Sequence, residues 1–126
     1  MAVTYTTAVK TARMNAVKDQ IDAGAGAGKL EIGTSGMASV LATITLADPC
    51  GTVTNGVLTF SSMPRSDTSA DASGTAAAAR IRDSNDVDIV TGLTVGTSGT
   101  DIILDSVSIT AGQTVTINSA TITHAT

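Results

Sequence analysis

From Lys29 onward, apolar and polar side chains alternate along short stretches, which is the pattern of a strand with one buried face. Leu30 and Ile32 alternate with two charged residues. Asn55-Gly56 is a two-residue hairpin signal, and it predicts that strands at Thr52–Thr54 and Val57–Phe60 pair with each other. A longer alternating stretch places four side chains on one face: Val40, Ala42, Ile44 and Leu46.

Turn residues separate further alternating stretches in the C-terminal half. Asp83-Ser84-Asn85-Asp86 and Gly96-Thr97-Ser98-Gly99 predict turns. The less regular stretch Ser61–Gly74 predicts a long loop or a weak edge strand. The face of the apolar residues shifts by one position at Asn118-Ser119, which predicts a β-bulge. Strands are predicted at Thr75–Arg82 and Asp88–Val95 and in the apolar stretches around Ile102, Val107, Val115 and Ile122.

Only one stretch has helical spacing. Thr6–Ala23 repeats apolar residues every three or four positions, with Thr6 or Thr7 able to cap its start and Gly24 suited to its end. The predicted stripe must dock on the domain or on a neighbouring subunit, because so small an apolar face is only marginally helical alone. The stripe consists of Val9, Ala12, Ala16 and Gln20, widened by Val17 and Ile21.

Together these signals predict a mainly β protein with one N-terminal α-helix. Roughly seven or eight short strands separated by regular turns are typical of an antiparallel β-sandwich or jelly-roll-like body. The tract Gly24–Gly28 reads as a flexible linker between helix and body. We therefore divide the chain into a helix and hinge arm, residues 1–28, and a β-sandwich body, residues 29–126.

Composition and charge remove several classes of function. The chain has 7 Lys and Arg against 11 Asp and Glu, a net charge of −4, and 2% aromatic residues. Nucleic-acid binding needs a basic face and, for single strands, stacking aromatic side chains. No apolar run approaches the roughly 18 residues of a membrane span. We therefore expect neither nucleic acid nor membrane among its partners, and its single cysteine excludes an internal disulfide.

The residues that could carry chemistry are scattered. His124 is the only histidine, and Cys50 lies in a turn without a neighbouring cation. Asp83–Asp88 spaces oxygen ligands like part of a calcium loop but lacks the glycine and distal glutamate of an EF-hand. Asp67 and Asp71 lie in a polar loop with nothing apolar around them. We expect no enzymatic activity, no cofactor and no metal site.

Partner binding is the remaining role for specific side chains. An arginine pair on one strand face can bind carboxylates of a partner, although pairing within the chain is the alternative. The low charge and many threonines suit repeated contact with identical neighbours over large areas. The candidate partner-binding residues are Val9, Arg13, Val17 and Ile21 on the helix and Arg65, Arg80 and Arg82 in the body.

Three segments between residues 68 and 117 resemble a known protein family. They read SADASGTAAAARIRDS from Ser69, VGTSGTD from Val95 and SVSITAGQTVTI from Ser106. In this order they resemble small β-rich virion proteins of tailed bacteriophages, several of which resemble capsid decoration, or cement, proteins. Members often carry larger aromatic residues near positions 77–79, where this chain has alanine.

The resemblance implies a structural role without catalytic residues. A decoration protein binds the outer shell of a phage head and stabilises contacts between major capsid subunits. The expected partners are the major capsid protein and further copies of the chain, as a dimer or trimer. The expected location is the outer capsid surface of the virion, after synthesis in the bacterial host cytoplasm. The alternatives are a head–tail, tail or baseplate accessory protein and a carbohydrate-binding adhesion module.

Overall fold

The computed structural model describes residues 4–24 and 26–123. Within them, one α-helix precedes eleven strands, which confirms the predicted mainly β class with one N-terminal helix. No helix among these residues is both long enough and apolar enough to cross a bilayer. The elements are α1 (Thr7–Ile21), β1 (Lys29–Gly33), β2 (Val40–Thr45), β3 (Gly51–Thr54), β4 (Val57–Phe60), β5 (Arg65–Asp67), β6 (Gly74–Thr75), β7 (Ala78–Arg82), β8 (Asp88–Gly96), β9 (Ile102–Leu104), β10 (Ser108–Ile109) and β11 (Val115–Thr123).

The helix begins at the predicted Thr6 cap, but it ends at Ile21 with Asp22 as its C-cap, two residues before the predicted end at Ala23. The Thr6 hydroxyl accepts a hydrogen bond from the Val9 N–H at 3.3 Å, which satisfies one of the free donors of the first turn. After Ile21 the chain turns through Gly24, whose φ of +98° lies in the left-handed region. This φ, which L side chains rarely adopt, favours glycine at this position.

The helix face that packs on the body differs from the predicted stripe. Met14 and Ile21 are buried and Val17 is half-buried, so Val17 and Ile21 lie inward as the pattern suggests. The rest of the predicted stripe faces solvent, because the larger Met14 and Ile21 side chains remove more apolar area from water than alanines do. The exposed residues are Val9, Ala12, Ala16 and Gln20.

Most strands belong to one curled, mixed sheet. Their order is β2-β1-β7-β8-β9-β11-β4-β3, and β5 also pairs with β11. The sheet forks at β11, since Val115–Ile117 pairs with β5 and Thr121–Thr123 pairs with β4. β6 and β10 form a separate two-stranded ribbon. The finer sandwich or jelly-roll arrangement stays a prediction.

One strand pair corrects the expectation of an antiparallel sheet. β8 and β9 run parallel, with Val95 opposite Ile102, whereas the other paired strands are antiparallel. The connecting loop is held by Asp101, whose carboxylate accepts hydrogen bonds at 3.0 Å from both the N–H and the hydroxyl of Thr94. This clasp joins the end of β8 to the residue just before β9.

Side chains of β5 close the curl against the edge strand β2. The Asp67 carboxylate accepts a hydrogen bond from the Thr43 N–H at 3.0 Å. The Arg65 Nε donates to the Thr45 carbonyl at 2.8 Å. We call this boundary the seam. It satisfies backbone groups of β2 that no neighbouring strand reaches, and so protects an edge that would otherwise invite pairing with another chain.

The core lies inside the curl, and a second layer covers part of its outside. Leu41, expected on the polar face of β2, is fully buried, because the chain around Gly74 packs on it and the Asp71 N–H donates to its carbonyl at 2.8 Å. The inward faces of β1 and β2 are confirmed, with Ala42 and Ile44 buried. Ala77, which alternation places on the face of Ala79 and Ile81, is exposed, since the strand predicted from Thr75 is interrupted and β7 begins only at Ala78. The largest fully buried side chains are Ile21, Leu30, Ile32, Leu41, Ile44, Leu46, Leu58, Ile81, Ile102, Leu104 and Ile117.

Two local predictions are confirmed in detail. Asn55 and Gly56 have φ of 51° and 78°, the left-handed pair that joins strands β3 and β4 in a tight hairpin. The pairing of β11 with β9 slips between Ile117 and Ser119, which is the predicted bulge.

Two hydrogen bonds attach α1 to the body. The Gly56 N–H donates to the Thr11 hydroxyl at 2.9 Å, and the Cys50 N–H donates to the Asp22 carboxylate at 2.9 Å. Together with buried Met14 and Ile21, they make α1 part of the same core as the strands. The division into an arm and a body stays a prediction about how these two parts move.

We expect Ile21→Ala to lower the free energy of unfolding by about 2–5 kcal/mol, because it removes a fully buried side chain and leaves a cavity. Val9→Ala, on the exposed side of the same helix, is the matched control and should change stability by less than about 0.5 kcal/mol. Urea unfolding of both variants measures the difference. Equal losses would show that α1 does not dock through Ile21.

Candidate functional site

The exposed side of α1 carries an apolar and cationic surface. Tyr5 and Val9 are 41% and 42% exposed, two of the three large apolar side chains that stand out from the described surface. The Arg13 guanidinium lies 4.9 Å from the centre of the Tyr5 ring, within the range of a cation–π interaction. We call this surface the outer helix face; it comprises Tyr5, Val9, Ala12, Arg13 and Ala16.

The four helix candidates therefore separate into two groups. Val9 and Arg13 lie on the outer helix face, where a partner can reach them. Val17 is half-buried against the core. Ile21 is completely buried, so a partner could contact it only after α1 leaves the body.

Arg80 and Arg82 pair within the chain. Arg80 Nε lies 2.6 Å from a Glu31 carboxylate oxygen on β1. Arg82 Nε lies 2.7 Å from Asp88 on β8 and 3.5 Å from the same Glu31 oxygen. The hydrogen bond to Asp88 raises the pKa of Arg82, followed by the attraction of Glu31. The side chains thus cross-link β1, β7 and β8, and a partner carboxylate would have to compete with these contacts.

Arg65 lies in a polar cleft at the seam. The cleft has a volume of about 400 Å³ and opens between β2 and β5, where the two strands are joined by side chains alone. Arg65 and Asp67 both lie in its wall, and both already hold β2. Hydroxyl groups line most of the rest: Thr43, Thr45, Ser62, Ser66 and Thr68, with Pro64 beside them.

A second groove lies on the outer side of β7 and β8. Its volume is about 430 Å³, and it is less polar than the cleft at the seam. The small side chains at positions 77 and 78 leave this space open. Gly92, with φ of +75°, lies at a shift in the β7–β8 pairing, a bulge that bends β8 beside the groove. The walls include Met37, Ala77, Ala78 and Leu93 together with Arg80 and Asp88.

The acidic turn after β7 is held by its own backbone. The Asp83 carboxylate accepts hydrogen bonds from the N–H groups of Asn85 at 2.8 Å and Val87 at 3.0 Å. The Asp86 side chain lies 2.9 Å from Lys29, and this hydrogen bond lowers the pKa of Asp86. Over residues 4–24 and 26–123, no three His, Cys, Asp or Glu side chains are grouped to hold a metal ion. His124 lies outside the described residues.

Cys50 is buried, and the groups around its thiol make the thiol unreactive. Burial, then the negative charge of Asp22 and a hydrogen bond to it, raise the pKa of Cys50 to about 12. Because the thiolate is the nucleophile, a raised pKa leaves very little reactive sulfur at neutral pH. Cys50 therefore has a structural role: its side chain packs in the core, and its N–H is bonded to Asp22 after α1.

Sequence reasoning named Val9 and Arg13 but missed Tyr5 and two hydrogen bonds that shape these surfaces. Tyr5 and Val9 lie four residues apart, as do Val9 and Arg13, so the outer helix face could have been found from helical spacing alone. The bond of Thr11 to Gly56 and the bond of Asp67 to Thr43 join segments far apart in the chain. No local pattern marks such bonds.

Comparisons with protein families, with curated proteins and with solved structures found no match to this chain.

We expect Asp67→Ala to lower the free energy of unfolding by about 1–3 kcal/mol, because it leaves the half-buried Thr43 N–H without its acceptor. Asp71→Ala is the matched control, since its carboxylate is exposed and its bond to β2 comes from the backbone. Thermal or urea unfolding of the two variants compares them. A loss from Asp71→Ala as large as that from Asp67→Ala would contradict the seam.

We expect the Cys50 thiol of the native protein to react with iodoacetamide far more slowly than in the unfolded chain at mildly alkaline pH. Its pKa of about 12 in the fold keeps it protonated, and unfolding returns it to an ordinary thiol. Mass spectrometry of alkylated protein, with and without denaturant, measures both rates. Similar rates in the two states would show that Cys50 is not shielded.

Proposed function

We propose that the protein is a structural virion protein of a tailed bacteriophage, a decoration protein that binds the outer shell of the head. The observation that carries this proposal is the likeness of residues 68–117 to small β-rich phage virion proteins. The chain would stabilise contacts between major capsid subunits and catalyse no reaction. The outer helix face supports the proposal by offering a surface for the shell.

The outer helix face has the properties of a contact surface. Its large apolar side chains remain in water although the opposite side of the same helix is well packed. Apolar residues gathered on one exposed face commonly mark a site of association. The Arg13 cation beside them would pair with an acidic residue of the shell.

The body suits close packing on a regular lattice. Its strands carry many hydroxyl side chains, and Arg80, Arg82 and Lys29 are paired with carboxylates of the same chain. These pairs neutralise part of the surface charge where neighbouring copies would lie side by side. Large, nearly neutral contact areas are typical of this kind of assembly.

The energetic role follows from linkage. A protein that binds only the assembled shell stabilises that shell by an amount that grows with its concentration and affinity. Each copy needs to contribute little, because the contributions of many copies add. A rigid β body with one docked helix can make this contribution without chemistry.

The test is the number of copies that particles take up. We expect particles prepared without the protein to bind the purified chain at a copy number comparable with that of the major capsid protein, measured by quantitative gel densitometry of sedimented particles. A few copies per particle would point to a head–tail, tail or baseplate component. No binding at all would reject a virion role.

A variant locates the contact in the same assay. Val9→Asp places a charge in the outer helix face and should weaken binding at least about tenfold, because a buried valine contributes about 1.5 kcal/mol or more. Val87→Asp is the matched control: Val87 is 54% exposed and lies outside the outer helix face. Equal occupancy for Val9→Asp and the unaltered chain would remove α1 from the interface.

A further inference from the structure

A backbone group of the hairpin turn at Asn55-Gly56 is hydrogen-bonded to the helix. In a two-residue turn of this type the N–H of the second residue normally points to solvent. Here the buried Gly56 donates that N–H to the Thr11 hydroxyl of α1 at 2.9 Å. The Asn55 side chain beside it is exposed.

We propose that Asn55 is a site of spontaneous deamidation, and that Thr11 controls its rate by holding the Gly56 N–H. Asparagine followed by glycine is the pair in which this reaction meets least steric hindrance, because glycine has no side chain to block the approach. The inference does not depend on the proposed function.

The chemistry is a cyclisation followed by hydrolysis. The Gly56 amide nitrogen loses its proton to a base in the solvent and attacks the Asn55 side-chain carbonyl carbon. The new C–N bond closes a five-membered imide ring, and the side-chain nitrogen leaves as ammonia with protons from solvent. One water then opens the ring, giving aspartate or isoaspartate. No oxidant or reductant takes part.

The folded structure opposes the first step in two ways. The Thr11 hydroxyl holds the proton that the Gly56 nitrogen must lose, and it directs that nitrogen toward the helix. The left-handed φ values of 51° at Asn55 and 78° at Gly56 fix the turn in one conformation. The reaction therefore proceeds from a locally opened state, and its rate reports how often the hairpin leaves α1.

The product would alter the same contact. Isoaspartate adds one main-chain atom to a two-residue turn, so the register of β3 with β4 next to the turn must change. The Gly56 N–H then no longer lies opposite Thr11. A new carboxylate also appears at the junction, and it adds one negative charge to the net charge of −4. Modification of Asn55 thus weakens the docking of α1 irreversibly.

The test compares two variants at position 11 with the unaltered full-length chain. Thr11→Val removes the acceptor and keeps the side-chain shape, and it should speed deamidation about fivefold, the factor that one neutral hydrogen bond contributes to an opening equilibrium. Thr11→Ser keeps the hydroxyl and should react at close to the original rate. Samples are aged in mildly alkaline buffer and digested with trypsin.

Trypsin gives an unambiguous readout. Cleavage after Lys29 and Arg65 releases residues 30–65, in which Asn55 is the only amide side chain. The mass gain of that peptide on conversion of amide to acid therefore measures Asn55 alone, and chromatography separates the aspartate and isoaspartate products. The chain unfolded in urea gives the upper limit of the rate.

Two results would overturn the proposal. One is a deamidation rate of Thr11→Val equal to that of Thr11→Ser. The other is a deamidation rate of the native chain equal to that of the unfolded chain.

Should Thr11→Val fail to fold, Ile21→Ala takes its place, because this variant keeps the Thr11 hydroxyl but weakens the docking of the helix. Its deamidation rate should then lie between those of the native and unfolded chains, and an unchanged rate would also reject the proposal.

Discussion

The fold depends on a sheet boundary that is closed by two side chains. β5 is three residues long and pairs with β11, and side chains rather than a backbone ladder join it to β2. Asp67 and Arg65 reach across and satisfy an N–H and a carbonyl of the edge strand. Without them the curl would expose an edge that is costly in free energy and prone to pair with another chain.

The local pattern of the sequence was sufficient to predict much of this architecture. Alternation placed Leu30, Ile32 and Ile44 in the core, and the turn signal at Asn55-Gly56 placed a hairpin. These features depend on neighbours in sequence, where side-chain period and turn geometry act directly. Fold class and most strand positions could therefore be predicted.

The features that could not be predicted depend on contacts between residues that lie far apart in the chain. The helix has two weakly apolar sides, and only the shape of the body selects Met14 and Ile21 for burial over Val9 and its neighbours. The parallel pair β8–β9 is accompanied by the bonds of Asp101 to Thr94, and the pairing of Arg80 with Glu31 depends on β7 lying beside β1. None of these has a local signature, whereas Val9 and Arg13 of the outer helix face could be named from helical spacing.

The seam also sets how the molecule responds to force. A boundary held by two side-chain bonds, with one backbone bond from Asp71 to Leu41 beside it, parts more easily than a backbone ladder such as β1–β2, where five residue pairs lie opposite each other. Tension applied across the strands is therefore relieved along this one line while the individual ladders stay whole.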